Sequence, residues 1–304
     1  MLRVGLVGEE ESIRKHIRTL HRMPLISISG YLGTGIGLAD DSGIKSFQPS
    51  QLESFINQSD VFIFSGNGLD LYHYAVQVIR SARHVFFDDF VVNQIDKLAS
   101  IQKLATEANC FIHVRNDKRT HPAWKTGISQ LNQAQYAEFA ITDLPGKAGI
   151  TDESWLKRVA MDLDLLIDLV HSGIKRTSPT GISVMQNGID LMNLKVEFVN
   201  GFAANLNYRL LPESRSDKCI FYEKGSVVEI DFLNCTVLRK SQFEQKKFSI
   251  VLNCLIDNEL DHFLEYLVSL DKGTAHSRYD YLLPLHIATQ SIEKILRRHS
   301  VSVF

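Results

Sequence analysis

The chain has 304 residues, enough for two domains with separate cores, and its 44% hydrophobic and 22% charged content is that of an ordinary globular protein. A formal net charge of −2 with no basic run argues against a nucleic-acid footprint. No apolar stretch approaches the roughly 18 residues of a membrane helix, and acids follow Val7 too soon for a signal peptide. Cys110, Cys219, Cys235 and Cys254 form no C-x-x-C pair, which predicts buried free thiols in a reducing cytoplasm and no metal centre.

Leu2 to Val7 reads as a short apolar strand that ends at Gly8 and runs into a helix with Ser12 as its cap, extending to about Arg22 with Ile13, Ile17 and Leu20 on one face. Strand, glycine turn and helix begin a dinucleotide-binding βαβ unit, whose G-x-G-x-x-G turn lets the backbone approach a pyrophosphate. Here Gly8 holds the first position, while Glu10 and Ile13 stand at the second and third. A carboxylate about 5 Å from one phosphate charge at an effective dielectric of about 20 would repel it by roughly 3 kcal/mol. The next strand is Leu25 to Ser29. Beyond it, where an acid usually holds the ribose, stand Gly30 and Tyr31; Asp40 and Asp41 fall later, in a Gly-rich loop.

Pro49 to Gln58 reads as a short helix and Asp60 to Phe64 as a buried strand, followed by the loop Ser65-Gly66-Asn67-Gly68. A helix from Leu71 to Ser81 leads to the strand His84 to Phe87, which ends in Asp88-Asp89-Phe90. A helix from Gln94 to Asn109 precedes a last strand, Cys110 to Val114. Five strands alternating with helices predict a doubly wound parallel sheet over residues 1–120. The remainder, 121–304, is predicted to be an α+β domain on an open, mostly antiparallel sheet. Trp155 to Val170 is a helix, and Leu194 to Phe198 with Phe202 to Leu210 flanks the hairpin turn Asn200-Gly201; the alternating apolar residues of Phe202 to Leu210 are expected to cover the outer face of the sheet. Cys219 to Tyr222 pairs with Ser226 to Phe232 across Lys224-Gly225, and Tyr281 to Arg298 closes the chain as a helix that packs back near the amino-terminal domain. Asp164, Asp168 and His171 share one stripe of the helix, a spacing that suits metal ligands, but Ser172-Gly173 ends the helix directly after and favours Asp168 and His171 as its wet face.

This order of pieces resembles the Gfo/Idh/MocA family of nicotinamide-dependent sugar and polyol oxidoreductases over nearly the whole chain. Leu2 to His16 matches its strand, glycine turn and helix start. Ser59-Asp60-Val61-Phe62-Ile63 is similar to its D-A-V-V-I strand, and Asn67 to the Asn of its T-P-N loop. Ser81-Ala82-Arg83-His84-Val85 resembles the A-G-K-H-V before its E-K-P motif, Arg119 with His121-Pro122-Ala123 its R-x-H-P, and Val196 to Gly201 its L-E-F-x-N-G hairpin. The resemblance implies an amino-terminal Rossmann domain, NAD or NADP as cofactor, and a homodimer formed through the carboxy-terminal sheet, with a small-molecule ligand in the interdomain cleft. It places cofactor contacts at Gly8, Glu10, Ser12, Tyr31, Ser65, Asn67 and Asp88, and the catalytic positions at Asp89, Asp164 and His121.

The departures fall on the chemistry. Asp89 stands where the family has the E-K-P lysine, and Met161 where it has the histidine of H-x-x-D; only the acid of that motif remains, as Asp164. Hydride transfer needs a proton acceptor and a cation beside the developing oxyanion, and Met161 and Asp89 supply neither. Two classes of function compete: a binding or partner subunit that has lost hydride transfer, with weak or absent dinucleotide binding, and a working oxidoreductase with a substituted site using Arg83, Lys118, Arg119 or His121. The first is the primary expectation, in a cytoplasmic protein with neither nucleic-acid nor membrane partners.

Overall fold

A computed structural model describes residues 1–34, 43–65, 71–88, 95–144, 152–184, 189–210, 214–250, 258–270 and 283–301. The chain divides into two compact units, Met1–Arg115 with Ile256–Leu282, and Asn116–Leu255 with Leu283–Phe304.

The first unit is a five-stranded parallel sheet. Its strands are β1 (Leu2–Glu9), β2 (Ile26–Thr34), β3 (Val61–Ser65), β4 (His84–Phe87) and β5 (Ile112–Val114), in the order β2-β1-β3-β4-β5. A single parallel bridge from Tyr31 to Ser46, with Tyr31 N–H donating to Lys45 O and Phe47 N–H to Tyr31 O, adds the start of a sixth strand outside β2. With that edge counted as the third strand, the order is that of a Rossmann sheet, and the switch point lies between β1 and β3.

All five residues of β3 are buried, as a parallel strand covered on both faces requires. On one face α1 (Glu10–Leu20) lays Ile13, Ile17 and Leu20 on Val4, Leu6, Ile63 and Tyr31. Beside it lies a helix absent from the expected elements, Asn258–Leu270, with Leu260, Phe263, Leu264 and Leu267 in the same core. The buried pair His113 Nε2 to Glu259 Oε1, 2.7 Å, ties that helix to β5. A run of stacked, edge-on and tilted rings, Phe47, Phe55, Phe62, Phe64 and Phe87, continues the unit's core. Gly5 leaves space for it, because a Cβ there would lie 2.6 Å from the Phe62 ring.

The second unit is an eight-stranded sheet in the order β13-β12-β11-β10-β6-β9-β8-β7. The strands are β6 (Ala134–Asp143), β7 (Ile174–Ile182), β8 (Leu191–Phe198), β9 (Ala203–Leu210), β10 (Ser216–Glu223), β11 (Ser226–Asp231), β12 (Thr236–Ser241) and β13 (Gln245–Ser249). All neighbours are antiparallel except β6 and β9. Both expected hairpins form, with Gly201 at φ 89° and Gly225 at φ 83° in their turns. One face carries helices: Gly127 in Pro122–Ser129 sits over Ile230, Trp155 in Asp152–Val170 packs edge-on against Tyr208, and Ile295 in Leu283–Val301 lies on Gly181.

Two expectations are corrected. The closing helix does not join the amino-terminal unit; it packs on β7 and on Asp152–Val170, and the helix that returns to the first unit is Asn258–Leu270. The alternating apolar residues of β9, expected to cover the outer sheet face, point inward: Ala204, Leu206, Tyr208 and Leu210 are buried, while Asn205, Asn207 and Arg209 take the open face. Among the described residues no helix is long and apolar enough to cross a membrane.

The tightest point in the first unit is Gly8. A Cβ there would stand 1.7 Å from the Ser65 carbonyl oxygen, at a φ of 150°. Gly8→Ala is expected to cost about 4 kcal/mol through overpacking and strain together. Gly225→Ala, with positive φ but nothing within 4 Å, should cost about 1 kcal/mol. Urea unfolding of both variants measures the difference, and equal losses would contradict the close approach.

Candidate functional site

In the first unit, register places Gly33, Gly8 and Ser65 side by side at the carboxyl ends of β2, β1 and β3. Ile13, at the third glycine position of the turn, is accommodated because the strand below it is Gly33; a Cβ on Gly33 would lie 3.1 Å from Ile13 Cδ1 and 2.7 Å from Gly8 O. A glycine absent from the turn is thus matched by one on β2, and Ile13 is wholly buried.

The helix starts earlier than its sequence suggests. Glu9 is the residue before α1, Glu10 and Glu11 fill the first turn, and Ser12 lies within the helix instead of capping it. Acids there complement the positive end of the helix dipole. Glu10 turns along the helix, with Oε1 2.6 Å from Arg14 Nη2 and 3.0 Å from its Nε. The repulsion expected from a bare Glu10 carboxylate is therefore reduced by its own ion pair. What opposes a pyrophosphate here is the occupation of the helix end by three acidic residues.

Tyr31 and Ser65 are each 1% exposed, and neither Tyr31 Oη nor Ser65 Oγ has a hydrogen-bond partner among the described residues. Tyr31 belongs to the core beneath α1, so it does not present its hydroxyl to a ribose from that position. At the end of β4, Asp88 binds His16 Nε2 at 3.1 Å through one oxygen and Arg115 Nη1 through the other. Burial alone would push the Asp88 carboxyl up, but His16 and Arg115 outweigh it and hold it well below the usual carboxylate range. Asn67 and Asp89 lie outside the described residues. The described residues at these strand ends do not fit a dinucleotide held by a glycine loop and a ribose-binding acid.

In the second unit the positions that the resemblance marks are tied together by ion pairs. Asn116 caps the short helix Asp117–Thr120 by accepting from Lys118 N–H, and its amide donates to Met161 O and to Asp164 Oδ2 at 2.8 and 2.7 Å. Arg119 holds Asp164 with two bonds, 2.5 and 3.1 Å, and reaches Asp168 at 3.2 Å. On that stripe Asp164 is buried, Asp168 is half-exposed and pairs with Arg119, and His171, at φ 48° past the helix end, is exposed. Among the described residues no group of His, Cys, Asp and Glu could hold a metal ion.

His121 caps Pro122–Ser129 by accepting the Ala123 N–H at Nδ1, 3.2 Å. That bond leaves the ring proton on Nε2, which faces Cys235 Sγ at 3.9 Å. Burial lowers its pKa, helped by the Lys118 charge. A neutral ring protonated on Nε2 offers no acceptor toward that side.

Lys118 Nζ is shared between Asp162 at 2.8 Å and Asp217 at 2.7 Å, and lies 4.8 Å from the Phe232 ring centroid. Tyr208 donates its hydroxyl to the other Asp162 oxygen at 3.0 Å. Burial would lower the Lys118 pKa, yet the two carboxylates raise it; Asp162, wholly buried and sharing its cation with Asp217, is pushed up. Sequence reasoning named Lys118 but missed Asp162, Asp217 and Tyr208. The available signal was Asp162 itself, an acid between Val159 and Leu163 on the apolar side of a helix. Cys110, Cys219 and Cys235 are buried free thiols, as expected; Cys254 lies outside the described residues.

The Asp88 pairing sets an acid limit. The folded chain holds this carboxylate below its free value of 3.8, so its contribution is complete above about pH 4 and drains as pH falls further. Asp88→Asn is expected to lose about 3 kcal/mol near neutral pH and to show a flatter acid limb below pH ~4. Urea unfolding across a pH series distinguishes this from a parallel shift of the whole curve, which would contradict it.

No protein-family model matches the chain, and no curated protein matches it in sequence. Solved structures do match in fold. UDP-N-acetylglucosamine 3-dehydrogenase GnnA from Acidithiobacillus ferrooxidans superposes with a TM-score of 0.78 at 15% identity, covering 98% of this chain and 99% of that one. The dehydrogenase MviM from Clostridium difficile gives 0.79 at 13% identity, covering 98% and 99%. Biliverdin reductase from Synechocystis sp. PCC 6803, solved with biliverdin and NADP+, gives 0.71 at 14% identity, covering 97% and 98%. The parallel five-stranded sheet, the eight-stranded mostly antiparallel sheet and these likenesses over the full length give the chain the two-domain fold of the Gfo/Idh/MocA-type oxidoreductases.

Proposed function

We propose that this chain has the oxidoreductase fold without hydride transfer, and serves as a binding or partner subunit. The observation that supports the reading is that each described candidate for proton transfer is committed within the protein. Asp164 is spent on Arg119 and Asn116, and His121 on a helix cap. Asp88, beside the position of the missing lysine, is spent on His16 and Arg115. A general base needs an acceptor within reach of its substrate, and these groups are already neutralised or turned inward. Met161 removes the remaining proton carrier.

Dinucleotide binding is correspondingly weak. The helix dipole that would attract a pyrophosphate already faces Glu9, Glu10 and Glu11. Titration calorimetry with NADH and NADPH is expected to show a Kd weaker than about 0.1 mM, less than about −5.5 kcal/mol of binding. Because Glu10 is paired with Arg14, Glu10→Gly alone should improve this little, whereas replacing all three acids should improve it more. Micromolar binding by the unmodified chain would sink the reading.

We also propose a homodimer through the open face of the eight-stranded sheet. That face is not apolar: Asn193 donates to Asn205 and Asn207 at 3.0 and 2.7 Å, Tyr222 donates to Glu138, and Lys218 pairs with Glu229 and Asp231. An interface there is of the polar kind, and one in which each partner satisfies the other's amides is compatible with C2 symmetry. Light scattering at micromolar concentration is expected to give a dimer, and Asn207→Arg to give a monomer. A monomeric unmodified chain would count against the assignment.

A further inference from the structure

The β12–β13 hairpin, at the outer edge of the second sheet, has a composition that neither the fold nor the proposed function uses. Its three-residue loop, Gln242 to Glu244, is held at both ends. Ser241 N–H and Ser241 Oγ donate to Glu244 O at 2.8 and 3.2 Å, and Glu244 N–H donates to Ser241 Oγ at 3.1 Å. On this fixed turn Phe243 is 92% exposed, the most exposed large apolar side chain among the described residues.

Behind the tip stand four cations. Register puts Arg239 opposite Lys246 and Leu238 opposite Lys247, with Lys240 opposite Gln245. Arg239 and Lys246 therefore lie on one face of the ribbon, and Lys240 and Lys247 on the other. Only Glu244 offsets them, through Lys246 at 3.0 Å; Arg239, Lys240 and Lys247 make no ion pair among the described residues. The whole chain carries a net −2, so this is a local excess and not a reflection of a basic protein.

Edge strands commonly carry lysine to discourage strand pairing, which accounts for Lys246 and Lys247 but not for an apolar ring at a tip where any polar residue would serve. A second copy of the chain docking edge to edge would bring two such lysine pairs together, so like charge excludes it. A nucleic acid stacks on aromatic rings lying flat within a basic groove. Here the ring leads and the cations trail on both faces.

We propose that this hairpin docks on an anionic phospholipid surface, with Phe243 entering the acyl boundary and Arg239, Lys240, Lys246 and Lys247 lying among the headgroups. Such a surface presents its charge first and its apolar layer a few ångströms deeper, in the same order as the hairpin presents cations and ring. The attachment is peripheral and reversible, and it does not depend on whether the chain binds a dinucleotide.

The test is co-sedimentation of the full chain with vesicles of phosphatidylcholine alone and of equal phosphatidylcholine and phosphatidylserine. Binding is expected to the anionic vesicles only, and to be lost near 1 M salt, where the Debye length is about 3 Å. Phe243→Ser should lower the partition coefficient about tenfold. Lys240→Glu with Lys247→Glu should lower it at least about twenty-five-fold, at about fivefold for each cation removed. These side chains are exposed, and circular dichroism verifies that each variant is folded. Phe243→Trp gives a second readout: its emission shifts to the blue with anionic vesicles if the tip enters the apolar layer, above the constant signal of the buried Trp124 and Trp155. No binding, equal binding to both vesicle types, or an emission that does not move overturns the proposal. So does tighter retention on a single-stranded oligonucleotide with the same dependence on Phe243.

Discussion

The contact of β1 with β3 at Gly8 constrains most of the amino-terminal unit. With no Cβ, Gly8 lets its strand lie against the Ser65 carbonyl, and Gly33 repeats the concession on the other side toward Gly8 O. Three strand ends are thereby brought level, and α1 starts at once, close enough for Ile13 to rest on Gly33 and His16 to reach Asp88. The geometry on which dinucleotide binding depends in such folds is thus retained as packing. What has changed is the charge presented at the end of the helix, which a backbone constraint does not control.

The same separation of framework from chemistry holds in the carboxy-terminal unit. Lys118, Asp162, Asp217 and Tyr208 form a buried network in which one ammonium serves two carboxylates and a phenol completes the set. Such pairs contribute little net stability against an apolar replacement, but removing one member strands the others and costs about 3–5 kcal/mol. Arg119, Asn116 and Asp164 form a second network of this kind, joining the same two helices, Asp117–Thr120 and Asp152–Val170. Residues whose chemical type would suit them to catalysis in an open cleft are fixed here by their neighbours.

Much of the fold was legible because its signals are local. Parallel strands buried on both faces write themselves as apolar runs such as Val61 to Phe64, and turns as Asn200-Gly201 and Lys224-Gly225. β6 and β7 were not legible. Ala134–Asp143 and Ile174–Ile182 break up their apolar residues with Gln, Glu, Lys, Arg and Pro, and their pairing comes from long-range neighbours. Asn258–Leu270 has a clear apolar stripe, but nothing local says that it belongs to the other unit's core. At the candidate site the positions were legible and the commitments were not. That Asp164 is spent on Arg119, or Glu10 on Arg14, follows from side-chain direction and not from spacing alone.

A carboxylate at a helix start can be read as hostile to phosphate or as a cap of the helix itself, and the difference is where its charge is balanced. Glu10 is balanced by Arg14 one turn along, and Glu10 and Glu11 together satisfy the dipole that an anionic ligand would otherwise satisfy. The helix end is therefore stable without a ligand. In a cofactor-binding relative of this fold, backbone N–H groups left unsatisfied in the free protein are completed by the ligand, so the empty state is the less favourable one. Here Glu9 makes no side-chain cap hydrogen bond, so the acids act on the helix end through charge alone, and a pyrophosphate would meet carboxylates that are covalently tethered and never diluted. The tethered charge competes with an anionic ligand for the helix end as well as repelling it. Gly33 on β2 faces Ile13 where the turn lacks its third glycine, so the packing of α1 on the sheet needs no glycine at that position of the turn.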